Sequence, residues 1–288
     1  MTDPVPNVPE PQPKGDLLSP ELQMRIISGL AVAAIALLMV YWGAVPFAIL
    51  VFLIGAAMSW EWGGNVRGER FDTAGWLHIF SMAAAAVLAN LGLAGLALAA
   101  VLIGAISVGA ILFGGGKAQL SSAGVLYTGL PVVALGWLRG DEPLGFQCVL
   151  FILLAVAVTD TAAYFSGRLL GGPKLWPAIS PNKTWAGLMG GVTAAALTGA
   201  LFAALSKSET VVWLAILGAL LAVVAQGGDL AESALKRHFG LKDASDLIPG
   251  HGGFMDRMDG LVTASIAAAL LALAIDAYAP ARAVLHGS

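Results

Sequence analysis

Nine apolar runs, each close to the length of a membrane span, constrain this chain more than any other feature of its sequence. A helix that crosses a hydrocarbon core of ~30 Å needs about 20 mostly apolar residues. Only 11% of the residues are charged, whereas a soluble domain carries roughly 25%, so the composition excludes a soluble globule. The sequence therefore predicts an all-α, polytopic integral membrane protein with about nine transmembrane helices. The predicted spans are 24–42, 45–61, 74–92, 96–113, 119–138, 146–166, 185–205, 211–229 and 260–279.

The polar start of the chain is rich in proline, and it divides from the apolar part near residue 22. We interpret residues 1–22 as a disordered, Pro-rich cytoplasmic tail. The tail ends in a helix start, Ser19-Pro20-Glu21, with serine at the N-cap and proline at the first helical position. Residues 23–144 are interpreted as N-terminal transmembrane helices. Residues 145–288 are interpreted as a C-terminal transmembrane catalytic region.

The basic residues are unevenly distributed over the predicted loops. If the N-terminus is cytoplasmic, twelve of the fifteen lysines and arginines lie on the cytoplasmic side, as the positive-inside rule requires. In this topology the protein lies in the cell (inner) membrane. The polar segments 167–184 and 230–259 face the cytoplasm, and the C-terminus lies outside. The net charge of −3 gives no indication of a nucleic-acid partner. The single cysteine, Cys148, lies in an apolar run, and we interpret it as a buried structural thiol.

A polar segment from Asp229 to Asp259 interrupts the last apolar runs and is the first candidate for chemistry. Asp256 and Asp259 are three residues apart, so on a helix they share a face. Asp229 ends the preceding span, where a charged group is costly without a function or a partner. We predict that these three carboxylates hold Mg²⁺, a cation that prefers carboxylates together with substrate phosphates. The alternative for Asp256 is a solvated helix start, where acids are favoured by the helix dipole.

Asp229, Ser233 and Arg237 recur every four residues, and Glu232 and Lys236 form a parallel pair. If 228–238 is helical, one surface presents a carboxylate, a hydroxyl and a cation, which suits a metal and a phosphate together. Ordinary intrahelical pairs are the alternative, each worth ~0.2–0.5 kcal/mol.

Three further groups of residues are candidates for substrate binding. In the connector 249–253, backbone N–H groups could approach an anion at the following helix start, although a tight re-entry into the membrane explains the glycines equally well. Lys183 and Thr184 precede an apolar helix and could hold a phosphate, or Thr184 could simply cap that helix. Asp160 and Tyr164 share one face of the sixth span. The candidates in these groups are Ser180, Lys183, Thr184, His251, Gly252, Gly253, Asp160 and Tyr164.

The residue inventory excludes some reaction classes and favours one. We find no nucleophile–base triad and no Cys/His zinc pattern. Carboxylates, cations, hydroxyls and glycines are the groups that phosphoryl and nucleotidyl transfer uses, because positioning and charge neutralisation supply most of that catalysis. Glu61, at the end of the second span, could simply sit at the membrane interface. The small-residue stripe from Gly187 to Ala203 is explained by close helix packing.

The motif Ser233-Ala-Leu-Lys236-Arg237, then Lys242-Asp243, then His251-Gly-Gly-Phe-Met-Asp256-Arg257-Met-Asp259 resembles the signature of the phosphatidate cytidylyltransferase (CDP-diacylglycerol synthase) family. The Ser180-Pro-Asn-Lys-Thr segment and the Asp160/Tyr164 pair also look like features of that family. The resemblance covers most of the chain beyond the tail.

The resemblance implies that CTP and phosphatidate are converted to CDP-diacylglycerol and diphosphate, in phospholipid biosynthesis. It implies Mg²⁺, with room for a second ion such as K⁺, and a homodimer in the lipid bilayer. Catalytic residues would be Asp229, Ser233, Lys236, Arg237, Asp256 and Asp259, and the substrate-binding residues would include Lys242, Asp243 and Arg257 of the signature. Other functions would use similar residues: an enzyme of the family that acts on another lipid phosphate, a CTP-dependent lipid kinase, or a transporter with Asp160, Asp229 and Glu61 as an ion relay. The signature argues against the kinase, and the lack of inverted repeats argues against the transporter.

Overall fold

Ten helices and a two-stranded hairpin make up the part of the chain that this computed structural model describes, residues 20–241, 243–245, 247 and 252–288. The predicted tail falls outside the described residues except for its last three, which begin α1. The helices are α1 Pro20–Trp42, α2 Ala44–Arg67, α3 Thr73–Asn90, α4 Ala94–Ile111, α5 Ala118–Gly140, α6 Gly145–Leu170, α7 Trp185–Leu205, α8 Val211–His238, α9 Met255–Ile275 and α10 Pro280–His286. The antiparallel hairpin pairs β1 Lys174–Trp176 with β2 Ser180–Thr184 and lies between α6 and α7.

The nine predicted spans each coincide with one of the helices α1 to α9. Among the described residues, α2 to α9 are long and apolar enough to cross a membrane, and α1 contributes a shorter apolar segment, Ala33–Trp42. The polytopic, all-α prediction is therefore confirmed. The bounds differ most where polar residues extend a helix beyond the membrane: α8 continues to His238 although the span was predicted to end at 229. The hairpin and α10 were not predicted.

The helices form two groups that meet along α9. Helices α2 to α5 pack on one another, α6 to α8 form a second group, and α9 contacts both α8 and α5. The small-residue stripe of α7 is buried throughout, and a Cβ at Gly199 would lie 2.0 Å from the Leu214 carbonyl oxygen of α8. The stripe is thus a packing surface, as predicted.

The outer faces of the helices carry exposed large apolar side chains, which include Leu102 and Ile106 on α4 and Leu201 and Leu205 on α7. In a polytopic membrane protein such faces contact lipid, so they need no protein partner. Cys148 is completely buried in the apolar core, which confirms the predicted burial of this thiol.

Candidate active site

A cavity of about 670 Å³ lies where the ends of α6 and α8 meet the hairpin and the starts of α7 and α9. Four carboxylates and four cations line it, so its charge is nearly balanced. The charged lining residues are Asp160, Asp229, Asp256, Asp259, Arg168, Lys174, Lys183 and Arg257. Tyr164, Asn182, Thr184 and Gln226 are its uncharged polar residues. The two long polar segments thus meet at one end of the bundle, because each follows an even-numbered span.

The first ion pair in the cavity joins the hairpin to α8. The Lys183 ammonium lies 2.6 Å from Asp229 Oδ2, and the Ser233 hydroxyl donates to Asp229 Oδ1 over 3.4 Å. The side chains of Lys183 and Asp229 are 18% and 30% exposed. Both residues line the cavity, so a charged ligand that enters it can replace their mutual contact.

The second ion pair joins α8 to the first turn of α9. Lys236 Nζ lies 2.5 Å from Asp256 Oδ1 and 3.1 Å from Glu232 Oε2, so one ammonium bridges two carboxylates. Asp256 Oδ2 accepts hydrogen bonds from the backbone N–H groups of Ala244 and Gly253, both at 2.9 Å. Both oxygens of Asp256 are therefore engaged within the protein.

Asp259 and Asp160 complete the acidic side of the cavity. Asp259 lies one turn after Asp256 on α9, and its Oδ1 accepts a hydrogen bond from Gly260 N–H at 2.7 Å. The Gln226 amide, one turn before Asp229 on α8, donates to Asp160 Oδ1 over 3.4 Å. Asp160, Asp229 and Asp259 thus reach the same cavity from three helices.

The donor chemistry of this cavity fits Mg²⁺, although the ligands are not gathered around one point. Within the described part of the chain, no three His, Cys, Asp or Glu side chains are grouped so that they could hold a metal ion. Mg²⁺ is usually bound by one or two carboxylates together with substrate phosphates and water, so a complete protein cage is not required. Asp229 and Asp259 offer such carboxylates. The centre made of Asp229, Asp256 and Asp259 stays a prediction.

Several predicted site residues lie away from the cavity lining. Arg237 is exposed at the end of α8 although it was predicted to share a surface with Asp229. Four residues on a helix turn by about 400°, so each step of four rotates the side chain by about 40° and two steps rotate Arg237 out of line with Asp229. Among the predicted site residues that the structure describes, those that do not line the cavity are Ser180, Ser233, Lys236, Arg237, Asp243, Gly252 and Gly253. Lys242 and His251 lie outside the described residues.

The connector glycines make contacts inside the protein. Gly253 N–H donates to Asp256, and Gly252 adopts φ +82°, a conformation that favours glycine. A Cβ at Gly252 would lie 3.1 Å from Asp256 Oδ2. As placed, these residues form the tight turn that leads into α9, and their contact with an anionic ligand stays a prediction.

Thr184 serves as a helix cap and also lines the cavity. Its side-chain oxygen accepts a hydrogen bond from Gly187 N–H at 3.0 Å, and the residue is buried. The capping alternative is thereby confirmed, and Lys183, directly before the cap, is the residue of this segment that faces a carboxylate.

Sequence reasoning missed four polar lining residues as site candidates: Arg168, Lys174, Asn182 and Gln226. Arg168 donates to the Tyr164 hydroxyl at 2.7 Å, which extends the Asp160/Tyr164 face by one turn. Gln226 carried a detectable signal, since an amide within an apolar span, three residues before Asp229, lies on the same helix face. Lys174 had none, because it belongs to the hairpin that the apolar pattern does not reveal.

Comparison with known proteins agrees with this arrangement. The model of the Cytidylyltransferase family matches residues 23–274, which include every residue that lines the cavity. The chain belongs to the cytidylyltransferase family. A relative named "Phosphatidate cytidylyltransferase", from Brucella suis biovar 1 (strain 1330), is 41% identical to this chain over 247 residues. The aligned region covers 85% of this chain and 90% of that protein.

Two further relatives of the cytidylyltransferase-family chain carry the same name. The one from Brucella abortus (strain 2308) is 40% identical over 247 residues, again 85% of this chain and 90% of the relative. The one from Staphylococcus saprophyticus subsp. saprophyticus (strain ATCC 15305) is 40% identical over 139 residues, 48% of this chain and 52% of the relative.

Proposed function

We propose that this protein is a phosphatidate cytidylyltransferase, which converts CTP and phosphatidate to CDP-diacylglycerol and diphosphate. The observation that carries the proposal is the charge-balanced cavity at the ends of membrane-length helices, in a chain of the cytidylyltransferase family. The likeness to relatives named for this activity supports the choice of substrates.

The surroundings of the cavity suit an amphiphilic substrate. Exposed apolar side chains flank the lining residues on α6 and at the start of α7; they are Phe165, Leu169, Leu170, Trp185 and Met189. A lipid phosphate can then lie among the cavity cations while its acyl chains remain in the bilayer. Phosphatidate has this form.

The reaction is a nucleotidyl transfer at the α-phosphorus of CTP. A phosphate oxygen of phosphatidate forms a bond to that phosphorus, and the bond from the α-phosphorus to the bridging oxygen of diphosphate breaks. A phosphate oxygen is already ionised at neutral pH, so no side chain has to remove a proton. The protein therefore has to bind and orient the two substrates and neutralise the charge of their phosphates. The cations for this are supplied by Lys183, Arg257, Arg168 and Lys174.

Mg²⁺ would be held by Asp229 and Asp259, with Asp256 beside them, and would supply charge neutralisation at the phosphates of CTP. Mn²⁺, used as a spectroscopic substitute in electron paramagnetic resonance, should bind the parent and bind the Asp229→Asn variant more weakly.

The two ion pairs suggest how the site remains neutral before substrate arrives. Lys183 is neutralised by Asp229, and Lys236 by Asp256 and Glu232. When CTP enters, Lys183 can turn from the carboxylate to a phosphate, which leaves Asp229 available to a cation. The triphosphate and the cation would therefore favour each other's binding.

The protein is proposed to lie in the cell (inner) membrane with the cavity and the N-terminus on the cytoplasmic side and the C-terminus outside. The excess of lysine and arginine in the loops at the cavity end supports this orientation. Cysteines introduced at positions 174 and 117 in a Cys148→Ser background should be labelled by an impermeant reagent only from the cytoplasmic face. Labelling from the outer face alone would reverse the orientation.

The homodimer implied by the family resemblance is likewise a proposal, and native mass spectrometry of the detergent-solubilised protein would test it.

The activity is tested with purified protein, labelled CTP and phosphatidate in mixed micelles. We expect a labelled liponucleotide that requires both substrates, with one diphosphate released for each. Release of CDP without a liponucleotide would show a lipid kinase instead. No reaction with either product, in protein that remains folded, would contradict the proposed function.

A further inference from the structure

A buried carboxylate outside the cavity holds the helix that carries Asp256, Arg257 and Asp259. Glu61 lies near the end of α2, in the other helix group, and is 1% exposed. Its Oε1 accepts hydrogen bonds from the Ser245 hydroxyl at 2.5 Å and from Phe254 N–H at 2.8 Å. Its Oε2 accepts one from Met255 N–H at 2.8 Å. These contacts connect residues that are nearly two hundred positions apart in the chain.

These hydrogen bonds satisfy both the buried carboxylate of Glu61 and the backbone N–H groups at the start of α9. The first N–H groups of an α-helix have no acceptor within the helix, and at the start of α9 those of Phe254 and Met255 point to Glu61. A carboxylate that is removed from water needs hydrogen-bond donors, and the positive end of a helix favours a negative charge. Glu61 and the start of α9 therefore stabilise each other, and removing either partner leaves the other unsatisfied.

The fit between the carboxylate and the connector is close. A Cβ at Gly253 would lie 2.6 Å from Glu61 Oε1, so only glycine lets the backbone approach to this distance. Gly253 has no positive φ, and the need for glycine here arises from space. Met58 and Trp62 of α2 pack with Ala244 and Met255 around the contact and keep it apolar.

Two carboxylates thus hold the segment between α8 and α9 at two places, around Ala244 and Ser245 and again just before α9. Asp256 accepts hydrogen bonds from the N–H groups of Ala244 and Gly253. Glu61 accepts hydrogen bonds from the Ser245 hydroxyl and from the first backbone N–H of α9. The first turn of α9 carries Asp256 and Arg257, and Asp259 follows one turn later. A displaced helix start would move all three side chains relative to Asp229 and Lys183.

We infer that Glu61 is a positioning residue for the reaction: from α2, it fixes the start of α9 and thereby the placement of Asp256, Arg257 and Asp259 in the cavity. The inference rests on the proposed function for its kinetic part, and its structural part stands on the contacts alone. It assigns a catalytic contribution to the N-terminal helix group, whose residues do not line the cavity in the described part of the chain.

The test compares three variants of the full-length protein in detergent. Glu61→Gln keeps the side-chain length but loses the charge and one acceptor oxygen. Gly253→Ala pushes the connector off an intact Glu61. Ser59→Ala is the matched control, because Ser59 lies on the same helix, is 1% exposed and bonds to Gly55 and Thr128 within the α2–α5 group.

Two measurements distinguish positioning from general stability. We expect Glu61→Gln and Gly253→Ala to lower kcat by about 10- to 100-fold with the KM for CTP changed by less than about threefold, since small misplacements of reacting groups act on the transition state. Hydrogen–deuterium exchange should become faster at the amides of Phe254 and Met255. The Ser59→Ala variant should leave both kcat and this exchange near the parent.

The inference is overturned if Glu61→Gln and Gly253→Ala turn over within threefold of the parent, or if Ser59→Ala lowers kcat as much as they do. If Glu61→Gln does not fold, Gly253→Ala alone decides by the same criteria. If the parent makes no liponucleotide, the proposed function fails separately. The amide exchange rates of Phe254 and Met255 in the variants then decide whether Glu61 holds the start of α9. Rates unchanged from the parent would overturn this structural part of the inference.

Discussion

The two ends of the helix bundle carry similar charged residues but use them differently. At the cavity end, the ion pairs Lys183–Asp229 and Lys236–Asp256 join side chains of separate elements, in addition to the backbone N–H groups that Asp256 and Glu61 bind. At the opposite end, polar side chains bond mainly to backbone: Arg139 donates to the Val40 carbonyl at 3.0 Å, and Asp141 accepts from Ala281 N–H at 2.7 Å.

The difference determines what each end can do. A contact between two side chains can be exchanged for a contact with a charged ligand, since both partners have rotamers to use. A contact with backbone cannot be given up without moving the chain, because a buried backbone group left without a partner is costly. We therefore expect substitutions at the cavity end to change activity and those at the opposite end to change stability.

The largest effect should come from the carboxylates of the cavity. Asp229→Asn and Asp259→Asn retain side-chain size but lose the charge, and each should lower turnover by ~10²–10³ as ~3–4 kcal/mol of transition-state stabilisation is lost. Thermal stability in detergent should remain near the parent. The loss of turnover in the double variant should be much smaller than the product of the two single losses, because the effects of residues that serve one centre are not additive. Near-parent turnover of the single variants at saturating Mg²⁺ would remove both residues from the mechanism.

The opposite end should respond in stability, with Arg139→Gln as the strongest case. The Arg139 side chain is 3% exposed, pairs with Glu142 and bonds to Val40 of α1. Losing a charge-assisted, buried hydrogen bond should cost about 2–3 kcal/mol of unfolding free energy, seen as a lower thermal midpoint. Turnover per folded molecule should match the parent, and a specific loss of kcat here would abolish the division between the ends.

A smaller effect on substrate binding is expected for Lys183→Gln. The variant keeps a polar side chain but cannot neutralise a phosphate, so the KM for CTP should rise about tenfold, consistent with the ~1.5–3 kcal/mol of a hydrogen bond to a charged group. Steady-state kinetics with CTP as the varied substrate would measure this. A normal KM with reduced kcat would place Lys183 at the transition state instead of the bound nucleotide.

The smallest change should follow from Asp141→Asn at the opposite end. The amide oxygen can still accept from Ala281 N–H, so only the charge assistance is lost, and stability should fall by about 0.5–1 kcal/mol. The thermal midpoint against the parent measures it, with Arg139→Gln as the larger reference. A drop as large as that of Arg139→Gln would show that the charge of Asp141 has another partner.

The sequence by itself determined the fold class, the approximate position of the helices and the identity of most of the polar residues that line the cavity. Membrane-length apolar runs admit only helices, because unpaired backbone groups are too costly in lipid. Asp229, Asp256 and Asp259 could be found because charge is rare in such a chain. The spacing of Asp229, Ser233 and Arg237 was interpreted on the condition that 228–238 is helical, and α8 does extend through Glu232 and Lys236, beyond the predicted span end at 229.

Only the tertiary structure decided which of these residues meet. Lys236 and Asp256 are twenty positions apart, and Glu61 and Met255 almost two hundred, so no periodicity connects them. Glu61 looked like an interfacial residue in sequence, yet it is buried because the start of α9 supplies its donors. Long-range hydrogen bonds of this kind depend on how α2 packs against the connector, and a local pattern of residue types carries no record of that packing.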